Sequence, residues 1–183
     1  MNQTNEIKRV LFPGVKDGDT FTVAGMEFIK FPATTAGTPV VAKNIVFRSE
    51  FGHNNHLAES CVLEKMKAEV LPKIVEALGE ENVLLFKTDL TTLDGLAPYE
   101  ALESKISLST LDFYRANVGI FDRHKVCGWW WLATPESARP HDAPDWTLCV
   151  PPSGYVDFNG YGNVRGVRPF LLFESSIFGS SEE

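Results

Sequence analysis

At 183 residues the chain has the size of one domain and buries enough surface to fold without disulfides or a metal. Hydrophobic residues make up 44% and charged residues 22%, which excludes a disordered, collagenous or coiled-coil chain. The 17 Lys and Arg against 24 Asp and Glu leave a net charge of −7, which argues against direct binding to nucleic acid or anionic membranes, where phosphates demand excess cations.

The opening MNQTNEIKRV lacks the apolar run of a secretory signal. No window of about 20 residues is both apolar and uncharged, so no membrane partner is expected. Cys61, Cys127 and Cys149 are odd in number and form no C-x-x-C pair, which fits reduced thiols in a cytosol. Cys61, in an apolar helical stretch, reads as a small core residue.

Residues 1–52 read as strands. Thr20–Val23 and Met26–Phe31 flank Ala24-Gly25, and Gly25 tolerates a positive φ, so a tight hairpin is predicted. After a loop at 33–38, the β-branched run Pro39–Phe47 predicts a third strand. Residues 55–125 read as mainly helical. Leu57, Cys61, Met66 and Val70 fall near one face of a 3.6-residue period, and Pro72 breaks that helix or begins the next. That next segment carries Ile74, Val75 and Leu78 and is closed by Gly79. Ser109-Thr110-Leu111-Asp112 resembles a helix start. The acidic excess of residues 57–105 reads as a solvated helical face, with an acidic contact surface as the alternative.

Residues 126–183 return to strand texture. Trp129–Thr134 is an aromatic strand in which Trp129 and Trp131 share one face and Trp130 takes the other, so at least one face is core. Pro135–Pro152 carries five prolines and reads as a long irregular loop, a place where function concentrates. Val156–Phe158 is a short strand. Gly166–Phe173 is an apolar one whose Pro169 suggests an edge position or a strand start. The last fifty or so residues are expected to return as sheet against the opening hairpin. The expected organisation is a single domain over 1–183, with an ordered core at 8–175 and a tail at 176–183, of which Gly179–Glu183 reads as frayed.

Three pieces of the C-terminal part carry a resemblance. They are Trp130-Trp131-Leu132-Ala133-Thr134-Pro135, the V-D-F-N-G-Y-G block at Val156–Gly162, and Gly166-Val167-Arg168-Pro169 with its apolar finish. Together they resemble a phage and Firmicutes family of unknown function with the signature W-W-L-x-[ST]-P … G-V-R-P. Gly25–Ile29 is similar to that family's G-x-E-W-x-V strand, Ala42–Phe47 to its A-K-x-I-L-F strand, and Leu108–Tyr114 to its S-L-L-T-x-x-E-Y. The first helix departs: Asn55–Met66 lacks the family's Trp and Arg. The resemblance implies an α+β, C-type-lectin-like fold: a mixed or antiparallel sheet, flanking helices and a long irregular loop region. Calcium lectins mark their site with E-P-N, Q-P-D or W-N-D, and none of these triplets occurs here.

No catalytic constellation stands out. G-x-S-x-G, P-loop and G-x-G-x-x-G patterns are missing from the sequence, so no catalytic residue and no cofactor is expected. His53, His56 and Glu59 have a spacing that would align on one helix face, but Asn54 and Asn55 read as a turn and cap, so no metal site is expected. Arg168 reads either as an anion ligand or as a buried structural arginine held by a carboxylate or by loop carbonyls. Partner binding is expected at Arg139, His141, Asp142, Asp145, Trp146, Tyr155, Tyr161 and Asn163, which combine interface-type residues with the proline-rich loop. Trp146 reads equally as a cap on the core beneath that loop. The expected function is a non-catalytic protein-binding module of phage or mobile-element type. Its sharpest version is an anti-CRISPR-type inhibitor that binds a Cas nuclease or its guide-RNA complex. The alternative is a ligand- or glycan-binding module of a phage structural protein, with an aromatic pocket near Trp146 and Tyr161. Apolar residues on edge strands leave a homodimer open.

Overall fold

A computed structural model describes residues 10–139 and 146–179. The fold is mixed α+β, dominated by antiparallel sheet. Strands β1 (Thr20–Val23) and β2 (Met26–Lys30) form the expected hairpin. Ala24 and Gly25 sit at φ 49° and 76°, the pair of positive angles that a two-residue turn needs to match strand twist. The predicted strand over Pro39–Phe47 is in fact two: β3 (Thr38–Ala42) and β4 (Phe47–Ser49), which belong to different sheets. Glu27 takes the Lys43 ammonium at 3.0 Å and the Asn44 amide at 3.4 Å, which ties down the crossing between them.

A continuous helical run follows a short 3-10 turn at Leu57–Glu59. It comprises α1 (Cys61–Lys65), a π turn at Met66–Val70, and α2 (Leu71–Leu78). Ser60 caps it by accepting from the Leu63 N–H at 3.0 Å. Pro72 does not break the run, and it stands in the first turn of α2, where it begins the next helical segment as expected. It has no N–H for the carbonyl four residues back, and the wider π turn before it, with the Leu71 N–H reaching Met66 O, absorbs the mismatch. Gly79, at φ 91°, ends the run as expected.

The mainly helical reading of 55–125 fails in its middle. Residues there form β5 (Phe86–Thr88), β6 (Leu102–Ser104) and β7 (Ile106–Ser107). In β6 burial alternates, with Glu103 out and its neighbours in, so the period is that of a strand. Helices α3 (Leu111–Ala116) and α4 (Val118–Arg123) come next, and Thr110 caps the first through the Phe113 N–H.

The C-terminal part supplies β8 (Trp130–Pro135), β9 (Trp146–Val150), β10 (Asp157–Gly160), β11 (Arg165–Val167) and β12 (Phe170–Phe173). The irregular stretch is therefore shorter than Pro135–Pro152, because Pro135 belongs to β8 and Trp146–Val150 to β9. One sheet runs β1-β2-β3-β12-β7 and the other β10-β9-β8-β11-β4. The closing strand thus joins the sheet of the opening hairpin, through β3, while β8 to β11 build the second sheet. Pro169 lies at a strand start, and β12 itself is interior between β3 and β7.

Two cores result. The Trp131, Ala133 and Cys149 side of the second sheet joins Phe28, Phe173 and the helical run 61–78. The Trp130, Leu132 and Leu148 side joins Phe31, Val41 and helices α3 and α4. Both faces of β8 are therefore core, as its strand alternation requires. The expected tail begins too early: Ser175–Phe178 forms a 3-10 turn whose Ile177 and Phe178 are buried, Phe178 against Phe12 and Phe21. Residues 8–9 of the expected core and 180–183 of the expected tail lie outside the described residues. No helix among the described residues is long and apolar enough to cross a membrane.

Candidate functional site

β10 pairs only with β9 and forms one outer edge of the second sheet among the described residues. In that pairing Phe158 lies opposite Leu148, and Trp146 opposite Gly160. Directly paired residues share a face, so Trp146, Leu148 and Phe158 all lie on the side of the second core. The Trp146 and Phe158 rings stack at 4.5 Å and 13°. Leu148 is buried, Trp146 half-buried and Phe158 exposed by 42%, so apolar surface runs from the core out to solvent at the free edge.

The chain entering this edge is pinned at its base. Asn55 is 1% exposed, and its amide donates to Ser137 O at 2.8 Å and Trp146 O at 3.2 Å. Its own oxygen accepts from the Tyr99 hydroxyl at 2.6 Å. One side chain thereby clamps the two ends of the segment between β8 and β9. Beside it Asp94 accepts from the Thr92 and Ser137 hydroxyls and from Arg139 Nε at 3.2 Å. The Thr92 and then the Ser137 hydroxyl hold the Asp94 carboxyl below the usual carboxylate range.

The sequence-predicted partner residues divide. Arg139, Trp146, Tyr161 and Asn163 gather towards one end of the β9–β10 hairpin. Tyr161 packs partly into the first core and its carbonyl accepts from Phe51 N–H, while Asn163 turns back to Gly160 O. Tyr155, although exposed, sits in the connection at the opposite end of that hairpin, a strand's length away, and does not belong to the cluster. His141, Asp142 and Asp145 lie outside the described residues. No family model, curated protein or solved structure matches the chain.

Sequence reasoning missed Asn55, Asp94, Tyr99 and Phe158. Asn55 read as a turn residue, because its partners lie 82 and 91 positions away. His53, His56 and Glu59 do not share a helix: only Leu57–Glu59 is helical, and the His56 ring stacks on Tyr99 at 4.1 Å. His56 Nδ1 lies 3.4 Å from Glu59, whose carboxyl is held low first by the Asn54 amide and then by His56. No cluster of three metal-type side chains occurs among the described residues.

A groove of about 540 Å³ lies between β4 and the helical run, where Arg48 and Ser49 face Cys61, Lys65 and Glu69. Lys65 Nζ donates to Ser49 Oγ at 3.4 Å. Cys149 is the opposite of a reactive thiol: burial pushes it up to about 12.

Proposed function

We propose that this chain is a non-catalytic protein-recognition module of phage or mobile-element type that captures a host protein at the open edge of its second sheet. The observation that carries this reading is the Trp146–Phe158 stack across β9 and β10. Aromatic pairs backed by a rigid sheet lose little side-chain entropy on contact, which is how interface anchors work. The edge of β10, unpaired among the described residues, adds main-chain donors and acceptors for an extended partner segment. Arg139, held by Asp94, places a charged rim beside the apolar pair.

A C-type-lectin-like arrangement belongs to the same proposal. It is supported by opening and closing strands that share one sheet, helices inserted between them, and an irregular segment before a β9–β10 hairpin. The sharpest version, inhibition of a Cas nuclease, rests on the motif resemblance together with the acidic charge. Glycan binding gains less support, because Phe158 covers one face of the Trp146 ring and Tyr161 is packed against the first core.

The test is capture of candidate nucleases, with and without guide RNA, by the full chain and by Trp146→Ala and Phe158→Ser. Capture is expected with the native chain, with affinity lower by about tenfold or more in either variant. Capture that both variants retain would move the contact away from β10. Failure to bind any nuclease would remove the inhibitor version.

A further inference from the structure

The far edge of the second sheet is β4, which pairs only with β11 among the described residues. In β11 the Gly166 N–H donates to Trp129 O at 2.7 Å, towards β8. Main-chain groups alternate sides along a strand, so Arg165 and Val167 turn theirs towards β4, to their partners Ser49 and Phe47. Arg48, between those two, therefore points its own N–H and C=O away from the sheet. Trp131 Nε1 donates to Ser49 O at 3.1 Å, which roots this edge in the first core. The Arg48 guanidinium is turned towards Gly128, where a Cβ would come within 2.6 Å of Nη2.

The groove of about 540 Å³ between β4 and the helical run follows this edge. Arg48, Ser49 and Glu50 all line it, and successive strand residues point to opposite faces, so it tracks the strand's edge rather than one face of the sheet. The helical wall contributes Cys61, Glu64, Lys65, Ala68 and Glu69. Ser49, Cys61 and Ala68 are small and leave room for a chain between the walls. Glu50, Glu64 and Glu69 form no ion pair among the described residues. The two cations of the lining are otherwise placed, Arg48 at Gly128 and Lys65 on Ser49 Oγ, so the groove is acidic. We propose that it docks an extended Lys- or Arg-bearing segment of a partner protein, added to β4 as a further strand. The residue opposite Arg48 exchanges both main-chain hydrogen bonds with it. Its two neighbours share the face of Ser49, which is turned to Lys65 and the helical wall, and they carry the cations that meet Glu64 and Glu69. The same carboxylates repel an anionic chain such as nucleic acid. Three strands, β9, β8 and β11, separate this edge from β10, so the two contacts are independent.

The experiment measures fluorescence anisotropy of labelled, end-blocked peptides with the full chain, together with amide hydrogen exchange by NMR. The probes are a short peptide of alternating valine and lysine, its valine–glutamate counterpart, and two valine–lysine peptides methylated on the main-chain nitrogens of either the valines or the lysines. The valine–lysine peptide is expected to bind saturably, to weaken as salt is raised, and to slow exchange of the Arg48 amide. Methylation at the valines, which face β4 when the lysines face the helical wall, should lower affinity about tenfold, and methylation at the lysines should leave it unchanged. Glu64→Gln and Glu69→Gln should each weaken binding roughly threefold, while Phe158→Ser on the other edge leaves it as it was. No binding, equal affinity for the valine–glutamate peptide, or equal effects of the two methylation patterns would overturn the proposal. So would slow Arg48 exchange in the free chain that speeds up on dilution, because a second copy would then cover this edge.

Discussion

Asn55 shows how one amide does the work of a longer structure. Its two donors and its acceptor are all used inside the protein, on Ser137 O, Trp146 O and the Tyr99 hydroxyl. Asn55→Ala leaves those groups without their partner and should cost about 2 kcal/mol in urea unfolding, while Asn55→Asp should cost more because it sets a charge against two carbonyls. An unchanged midpoint would show that the clamp carries no load. The thiols offer a second residue-level contrast. Cys127 is exposed and Cys149 buried, with its pKa raised to about 12. In the native protein at about pH 8 a thiol reagent should label Cys127 at once and Cys149 only on unfolding. A raised thiol pKa means that the folded state keeps its proton longer than the unfolded chain. Its contribution to stability is complete below the ordinary thiol range and is lost as pH climbs towards 12. Arg168, lowered to about 10, acts in the opposite sense across the same alkaline range. Urea midpoints of Cys149→Ala against the native chain isolate the thiol: the native chain should lose more stability than the variant between about pH 9 and 12.

Elements formed wherever local chemistry was sufficient to specify them. The hairpin was legible because Ala24-Gly25 sits between two alternating runs, and the helix start at Thr110 because a hydroxyl precedes an apolar face. Gly79 was legible as a stop for the same local reason. The split of β3 from β4 was not, because both halves are β-branched and only the tie of Lys43 and Asn44 to Glu27 marks the crossing. The strands of 83–108 were hidden because each is two or three residues long, too short to display a period. The pairing that makes the candidate surface was hidden too: Phe158 becomes an anchor only when β10 lies beside β9 and Trp146. Gly166 shows a related limit. A Cβ there would come within 2.9 Å of Trp129 O and 2.5 Å of Ile45, so the glycine of G-V-R-P answers to close strand packing rather than to a turn. The hairpin yields an element-level prediction. Ala24 is exposed and holds φ 49°, a conformation that costs an alanine about 1 kcal/mol and an asparagine less. Ala24→Asn should therefore raise the urea midpoint by the equivalent of about 0.5–1 kcal/mol, and a lower midpoint would mean that the turn differs from the one described.

At the scale of the molecule, the two ends of the described chain close over the same core. Phe12 meets Phe21 at 4.7 Å and Phe178 at 5.7 Å, and Phe178 meets Phe21 edge-on at 5.2 Å. The N–H groups of Leu11 and Phe12 both donate to Ile177 O. The sequence suggested a tail here because Ser175-Ser176 and Gly179-Ser180 bracket only two apolar residues. Such a pair is too short for a periodic signal, yet it fills the gap left where β1 ends the sheet. Stopping the chain after Phe173 removes both side chains, uncovers Phe12 and Phe21, and leaves two N–H groups without their acceptor. The loss should be about 4 kcal/mol or more, by analogy with large-to-small core substitutions, and Ile177→Ala alone should take about 3 kcal/mol of it. The damage should stay with the first sheet. The Trp146–Phe158 edge belongs to the other sheet and shares the face of Leu148 in the second core, so a shortened chain that remains folded in low urea should still present it. Binding measured beside unfolding separates the two: reduced stability with retained capture supports this division, and full stability after truncation would put the closing turn outside the core.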